Sequence, residues 1–168
     1  TAKAFDAAGN NTLSSPFTFS VNNSAPPVER MLNGGFESGR TNWTSSNGVV
    51  TKNNTYPART GSWKAWLNGN GSANTEFLYQ SVAIPSTATS ATLSFWLRVA
   101  SDETTTTAAY DTLKIQVRNG SNAVLTTLAT YSNLNKGSSY VQRTFDVSAY
   151  KGQTIRIYFE GIEGTQVA

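Results

Sequence analysis

The sequence predicts an all-β chain folded as an antiparallel jelly-roll sandwich. Three observations carry that expectation. "ATLSFWLRV", "DTLKIQVRNG" and "TIRIYFEG" each alternate apolar and polar residues with a period of two, the pattern of strands half-buried in antiparallel sheets. Clusters of Gly, Asn and Ser bound these runs. No stretch shows helical periodicity over three turns.

The first element is a short hairpin. In residues 1–23, Ala2 and Ala4, then Phe17, Phe19 and Val21, alternate with polar residues, and "DAAGNN" between them supplies turn chemistry. Two strands cannot enclose a core. "SAPPVER" then reads as a linker over residues 24–30, stiffened by Pro26 and Pro27. From Met31 onward, "NGVVTK", "SWKAWLN", "EFLYQSVAI", "ATLSFWLRVA", "DTLKIQVRN", "AVLTTLATY", "SYVQRTFDV" and "TIRIYFEG" give about eight strands, which suits a jelly roll. "NGSNAV" and "YKGQ" read as hairpin turns.

Composition narrows the chemistry. The 168 residues contain neither Cys nor His. Their absence removes the commonest general base, the commonest metal ligand and the Ser-His and Cys-His nucleophile pairs. Only 14% of residues are charged while 11% are aromatic, a balance that suits an extracellular β-domain and predicts a secreted protein. The net charge of +3 is spread without a Lys/Arg cluster, so nucleic acid is not an expected partner. No apolar run approaches membrane-spanning length.

The carboxylates offer no catalytic pair. Asp111 precedes "TLKIQV" as a strand-start residue that accepts backbone hydrogen bonds, Asp146 and Glu160 fall on outward strand positions, and Asp102 and Glu103 sit in a polar Thr-rich loop read as solvated. Glycosidase chemistry needs two carboxyls fixed across a cleft. With no G-x-S-x-G and no phosphate-cradling loop, catalysis is not expected.

A surface is the stronger candidate. Trp96, Arg98, Lys114, Gln116, Arg118, Arg156 and Tyr158 all fall on non-core faces of successive strands. Shared by one sheet, they would form a flat polar face. Trp96 or Tyr158 could stack on sugar rings while the amide and guanidinium groups bond hydroxyls. The same face could instead meet an adjacent domain. Trp63 and Trp66 point to opposite faces of one strand, which places at least one in the core, and Trp43 is expected to pack on the "NGGF" turn.

Two resemblances extend this reading. "AKAFDAAGN" resembles the closing hairpin of bacterial immunoglobulin-like domains, whose ends read A-x-A-x-D-x-A-G-N, and implies that residues 1–23 are the tail of such a domain. "NGGFE" with a following Trp, "GSWKAWLNG", "LSFWLRV", "YDTLKIQV" and "FDVSAYKGQTIRIYFEG", in that order, resemble the galactose-binding-like jelly rolls of secreted bacterial proteases and other hydrolases, relatives of carbohydrate-binding modules. The match spans residues 31–163 of a domain taken as 31–168. It implies a non-catalytic module of a multi-domain hydrolase that binds polysaccharide or cell-wall glycan, or a structural domain that stabilises or docks its parent. Such domains finish on a strand carrying Asp-Asp-Val, which "GTQVA" lacks, so that strand is expected to be missing or its place filled differently. The resemblance also implies a structural calcium, held by Glu37 with Asn33 and a carbonyl near Lys64. By its residues alone, Glu37 could equally cap a turn or pair with Arg40.

Overall fold

A computed structural model describes residues 3–5, 11–13 and 26–164 of the chain. Strands β1 (Lys3–Phe5) and β2 (Asn11–Leu13) pair antiparallel. Phe17, Phe19 and Val21 lie outside the described residues.

The remaining strands are β3 (Thr44–Ser45), β4 (Val50–Thr51), β5 (Lys64–Ala65), β6 (Asn74–Ala83), β7 (Thr92–Leu97), β8 (Thr112–Arg118), β9 (Val124–Ser132), β10 (Val141–Asp146) and β11 (Thr154–Glu163). Each of the eight runs read from the sequence beyond Met31 forms a strand. β3 was not anticipated, because two residues are too few to show a period. The principal sheet has the order β3-β6-β11-β8-β9, and the pairs β10-β7 and β4-β5 stand apart from it. The chain is thus an all-β antiparallel sandwich.

The period-two pattern decides what is buried. Ile115 and Val117 of β8 and Ile155 and Ile157 of β11 meet Leu93 and Val147, with Phe95, Phe145 and Phe159 packed around them. Phe95 meets Phe159 edge to face at 5.1 Å, the arrangement favoured by the ring quadrupole. A second cluster joins Trp43, Val49 and Leu78 to Phe36 and Leu67. Gln80 breaks the apolar pattern of β6. Its buried amide accepts from Leu32 N and donates to Leu32 O, which ties the segment before β3 to the sheet while satisfying a costly buried polar group.

The turns follow their residues. Asn119 N–H donates to Ala123 O, and Asn122, with φ of 68°, closes the β8–β9 connection. Gly152 takes φ of +81° between β10 and β11, a conformation that L side chains rarely adopt.

Ile115 is fully buried between the sheets. Ile115→Ala is expected to cost about 2–5 kcal/mol through lost burial and a residual cavity. Urea unfolding checks this, and a smaller loss would show that the core collapses around the deletion.

Candidate functional site

The "NGGFE" segment resolves first. Glu37 Oε1 accepts from Ser62 N and Trp63 N, both at 3.0 Å. The carboxylate lies so close to Gly61 that a Cβ there would collide with it. Asn33 Oδ1 accepts from Ser38 N, and its amide donates to Gly39 O and Thr41 O. Lys64 turns its ammonium to Asn53 O at 2.6 Å, and burial lowers its pKa. Asn33 Oδ1 and Glu37 Oε1 thus each face backbone N–H donors. These bonds give Asn33 and Glu37 a turn-capping role. The bend falls elsewhere than the glycine pair suggests: the left-handed residues are Asn33 and Phe36, with φ of 50° and 62°. Phe36 in that conformation is unusual, and its ring packs on Trp43 at 5.1 Å while Trp43 Nε1 donates to Asn33 O. Trp43 packs on the turn as expected.

The face read from the sequence is divided. Lys114, Gln116, Arg118, Arg156 and Tyr158 lie on β8 and β11 of the principal sheet, whereas Trp96 and Arg98 belong to β7 and its end, paired with β10. The two sheets turn their outer faces in different directions, so these residues form no single platform. Nor are they open. Tyr158 is 6% exposed, stacked on Tyr79 at 5.4 Å and Phe77 at 5.8 Å and covered by the Arg118 guanidinium at 3.6 Å. Arg118 in turn bonds Gln116 Oε1 and pairs with Glu160 at 2.7 Å; Arg156 covers Tyr79 at 4.9 Å. Tyr158 and Gln116 are therefore structural: alternation identifies an outward face, but not what folds back over it. Trp96 is 42% exposed, with Arg59 stacked on it at 3.8 Å.

A different constellation gathers at one end of the sandwich. A cleft of about 620 Å³ opens between the residues after β5, the end of β7 and the 101–111 loop, a size suited to a small ligand. Trp66 and Tyr56 form one wall, their rings 5.4 Å apart, and the Arg98 guanidinium stacks on Tyr56 at 4.9 Å. Gly69, at φ of +85°, leaves its Cβ position open where Trp66 Nε1 would stand 3.0 Å away. Asn133 fixes the opposite loop by donating to Ala108 O and accepting from Tyr110 N. Among the described residues, three buried polar atoms in this lining have no partner: Asn68 Oδ1, Arg98 Nε and Glu103 Oε2. Such atoms are costly to leave unsatisfied.

Sequence reasoning found Arg98 but missed Tyr56, Trp66, Asn68 and Glu103 as site residues. Glu103 corrects an expectation outright, being 6% exposed rather than solvated. Asp111 accepts from Gly164 N at 2.9 Å, the backbone role expected of it. Trp63 and Trp66 are both only partly buried, so neither is the core residue anticipated. Among the described residues, no three of Asp and Glu group as a metal cluster would require, and no helix is long and apolar enough to cross a membrane.

No protein-family profile and no curated protein matches the sequence. The fold does have solved relatives. The carbohydrate-binding module TmCBM61, determined in complex with β-1,4-galactotriose, is 17% identical with a TM-score of 0.57, over 83% of this chain and 90% of that one. The enzymatically active domain of tailspike protein 4 from bacteriophage CBA120 is 15% identical with a TM-score of 0.51, over 80% of this chain but only 19% of that one. At these identities the likeness shows the fold: this chain has the β-sandwich architecture of a carbohydrate-binding module.

Two outcomes test this geometry. Glu37→Ala is expected to lower stability by about 1 kcal/mol, equally in calcium and in EGTA; a calcium-dependent rise in Tm that the variant loses would restore the metal role. Burial raises the Tyr158 pKa above its ordinary 10.0, so the folded state holds that proton when the unfolded chain releases it. Stability is then retained below pH 10 and falls as pH rises through the folded pKa. Tyrosinate absorbance at 295 nm should show Tyr158 ionising above the ordinary range, a delay that Tyr158→Phe abolishes.

Proposed function

We propose that this chain is a non-catalytic module that binds carbohydrate in the cleft lined by Tyr56, Trp66, Asn68, Arg98 and Glu103. The observation that carries the reading is the combination of a partly open aromatic wall with three unpartnered buried polar atoms in one cleft. A sugar presents apolar C–H faces that stack on such rings, and hydroxyls that both donate and accept. Hydroxyl groups would donate to Glu103 Oε2 and accept from Arg98 Nε, whereas Asn68 Oδ1 lies against the Gly161 backbone. The galactotriose complex of TmCBM61, on a similar fold, supports a polysaccharide or cell-wall glycan as partner.

Attachment to a secreted bacterial hydrolase such as a protease, and an immunoglobulin-like origin for residues 1–23, rest on the resemblances in the sequence. The second reading, a structural or docking domain, is favoured by one feature: the outer face of the principal sheet is sealed by its own Arg118–Tyr158 and Arg156–Tyr79 stacks. A surface so covered stabilises the sandwich rather than greeting a sugar.

Isothermal titration with a panel of soluble glycans, β-1,4-galacto-oligosaccharides included, separates the two. Trp66→Ala is expected to weaken a bound glycan at least about tenfold, and Tyr158→Phe should leave it unchanged. Silence across the panel, or loss of binding only in Tyr158→Phe, would sink the cleft as the binding site.

A further inference from the structure

Five asparagines in this chain stand directly before a glycine: Asn33, Asn47, Asn68, Asn70 and Asn119. Such a pair carries its own chemistry. The glycine nitrogen attacks the amide carbon of the preceding side chain, and the missing Cβ leaves that approach open. Folding decides which pairs are free to react, because groups held in hydrogen bonds must first give them up.

Four of the five pairs are held. The Asn33 side chain accepts from Ser38 N and donates to Gly39 O and Thr41 O. Asn68 donates to Thr112 O and Ile162 O. Asn70 donates to Glu76 Oε1, and the nitrogen that would attack it, Gly71 N, is bonded to Glu163 Oε1 at 2.8 Å. Asn119 Oδ1 accepts from Ser121 N and Ala123 N. Asn47 is the exception. Among the described residues, neither its side chain nor Gly48 N has a hydrogen-bond partner, and both residues are exposed. Gly48 takes φ of +82°, with open space where a Cβ would stand.

The chain is pinned on either side of this pair. Ser46 N–H donates to Phe77 O, and Ser46 Oγ accepts from Phe77 N. Val49 is fully buried, and its carbonyl accepts from Trp66 N. Only Asn47 and Gly48 lie between these anchors.

We infer that Asn47–Gly48 is a site of spontaneous deamidation, which the fold directs to this pair and away from the other four. The Gly48 nitrogen bonds to Asn47 Cγ, the side-chain nitrogen leaves as ammonia with the proton that Gly48 N gives up, and a succinimide ring closes. Water then opens the ring. Attack at Cγ yields aspartate; attack at the main-chain carbonyl yields isoaspartate, whose backbone runs through the side chain. Isoaspartate adds one carbon to a short span with fixed ends, so the turn bulges and its hold on Val49 weakens. No glycan enters this chemistry, and the inference stands apart from the cleft.

Peptide mapping by mass spectrometry tests it, on the folded chain in mildly alkaline buffer and on the same chain unfolded in urea. Folded, Asn47 should convert at least about tenfold faster than Asn33, Asn68, Asn70 or Asn119; in urea the five should convert at similar rates. Equal rates at all five in the folded chain, or a faster pair elsewhere, would overturn the assignment. The purified isoaspartate form should also melt below the Asn47→Asp chain, which bears the same charge on an ordinary backbone. An equal Tm would overturn the weakened hold on Val49.

Discussion

Everything in this domain depends on β11 lying between β6 and β8. It pairs with β6 along ten residues and with β8 along seven, so its alternation fixes both faces of the sandwich at once. Ile155, Ile157 and Phe159 supply the core, and the residues between them supply the outer layer. A slip of one residue would exchange the two sets. The charged pair helps hold this register: Glu160 sits opposite Lys114 and bonds Arg118, whose guanidinium lies over Tyr158. An ion pair so little exposed contributes chiefly if each partner keeps its remaining bonds, and Gln116 supplies one of them to Arg118.

The strands were legible in the sequence because burial on one face writes a period of two. Alternation separated Leu113, Ile115 and Val117 from Lys114, Gln116 and Arg118 correctly. It could not say that Trp96 and Tyr158 belong to different sheets, because pairing is a property of two segments and the period is a property of one. Nor could it show that Arg118 and Arg156 fold back over neighbouring rings. A long cationic side chain reads as exposed in any pattern, yet its stem and planar head can cover apolar surface.

The cleft was illegible for a related reason. Tyr56, Trp66, Asn68 and Glu103 come from three connections, and loops carry no periodicity to mark which will converge. The signals that did exist were local: an aromatic beside Pro57, and "LNGNG" after Trp66 with room for tight turns. Motifs show the opposite limit. "NGGFE" was read as a motif with a role, and the carboxylate does have a defined partner, but that partner is the backbone at Ser62 and Trp63.

The outermost strand of the principal sheet, β9, has a further effect. Its pairing with β8 is interrupted twice, between Ile115 and Gln116 and between Val117 and Arg118, and Val124 and Leu125 at its start are exposed. A straight, apolar border of that length would recruit the same border of another molecule and grow into an intermolecular sheet. The two irregularities bend the strand and twist it out of line. So bent, the border is a poorer template for another chain than its exposed apolar start alone would make it.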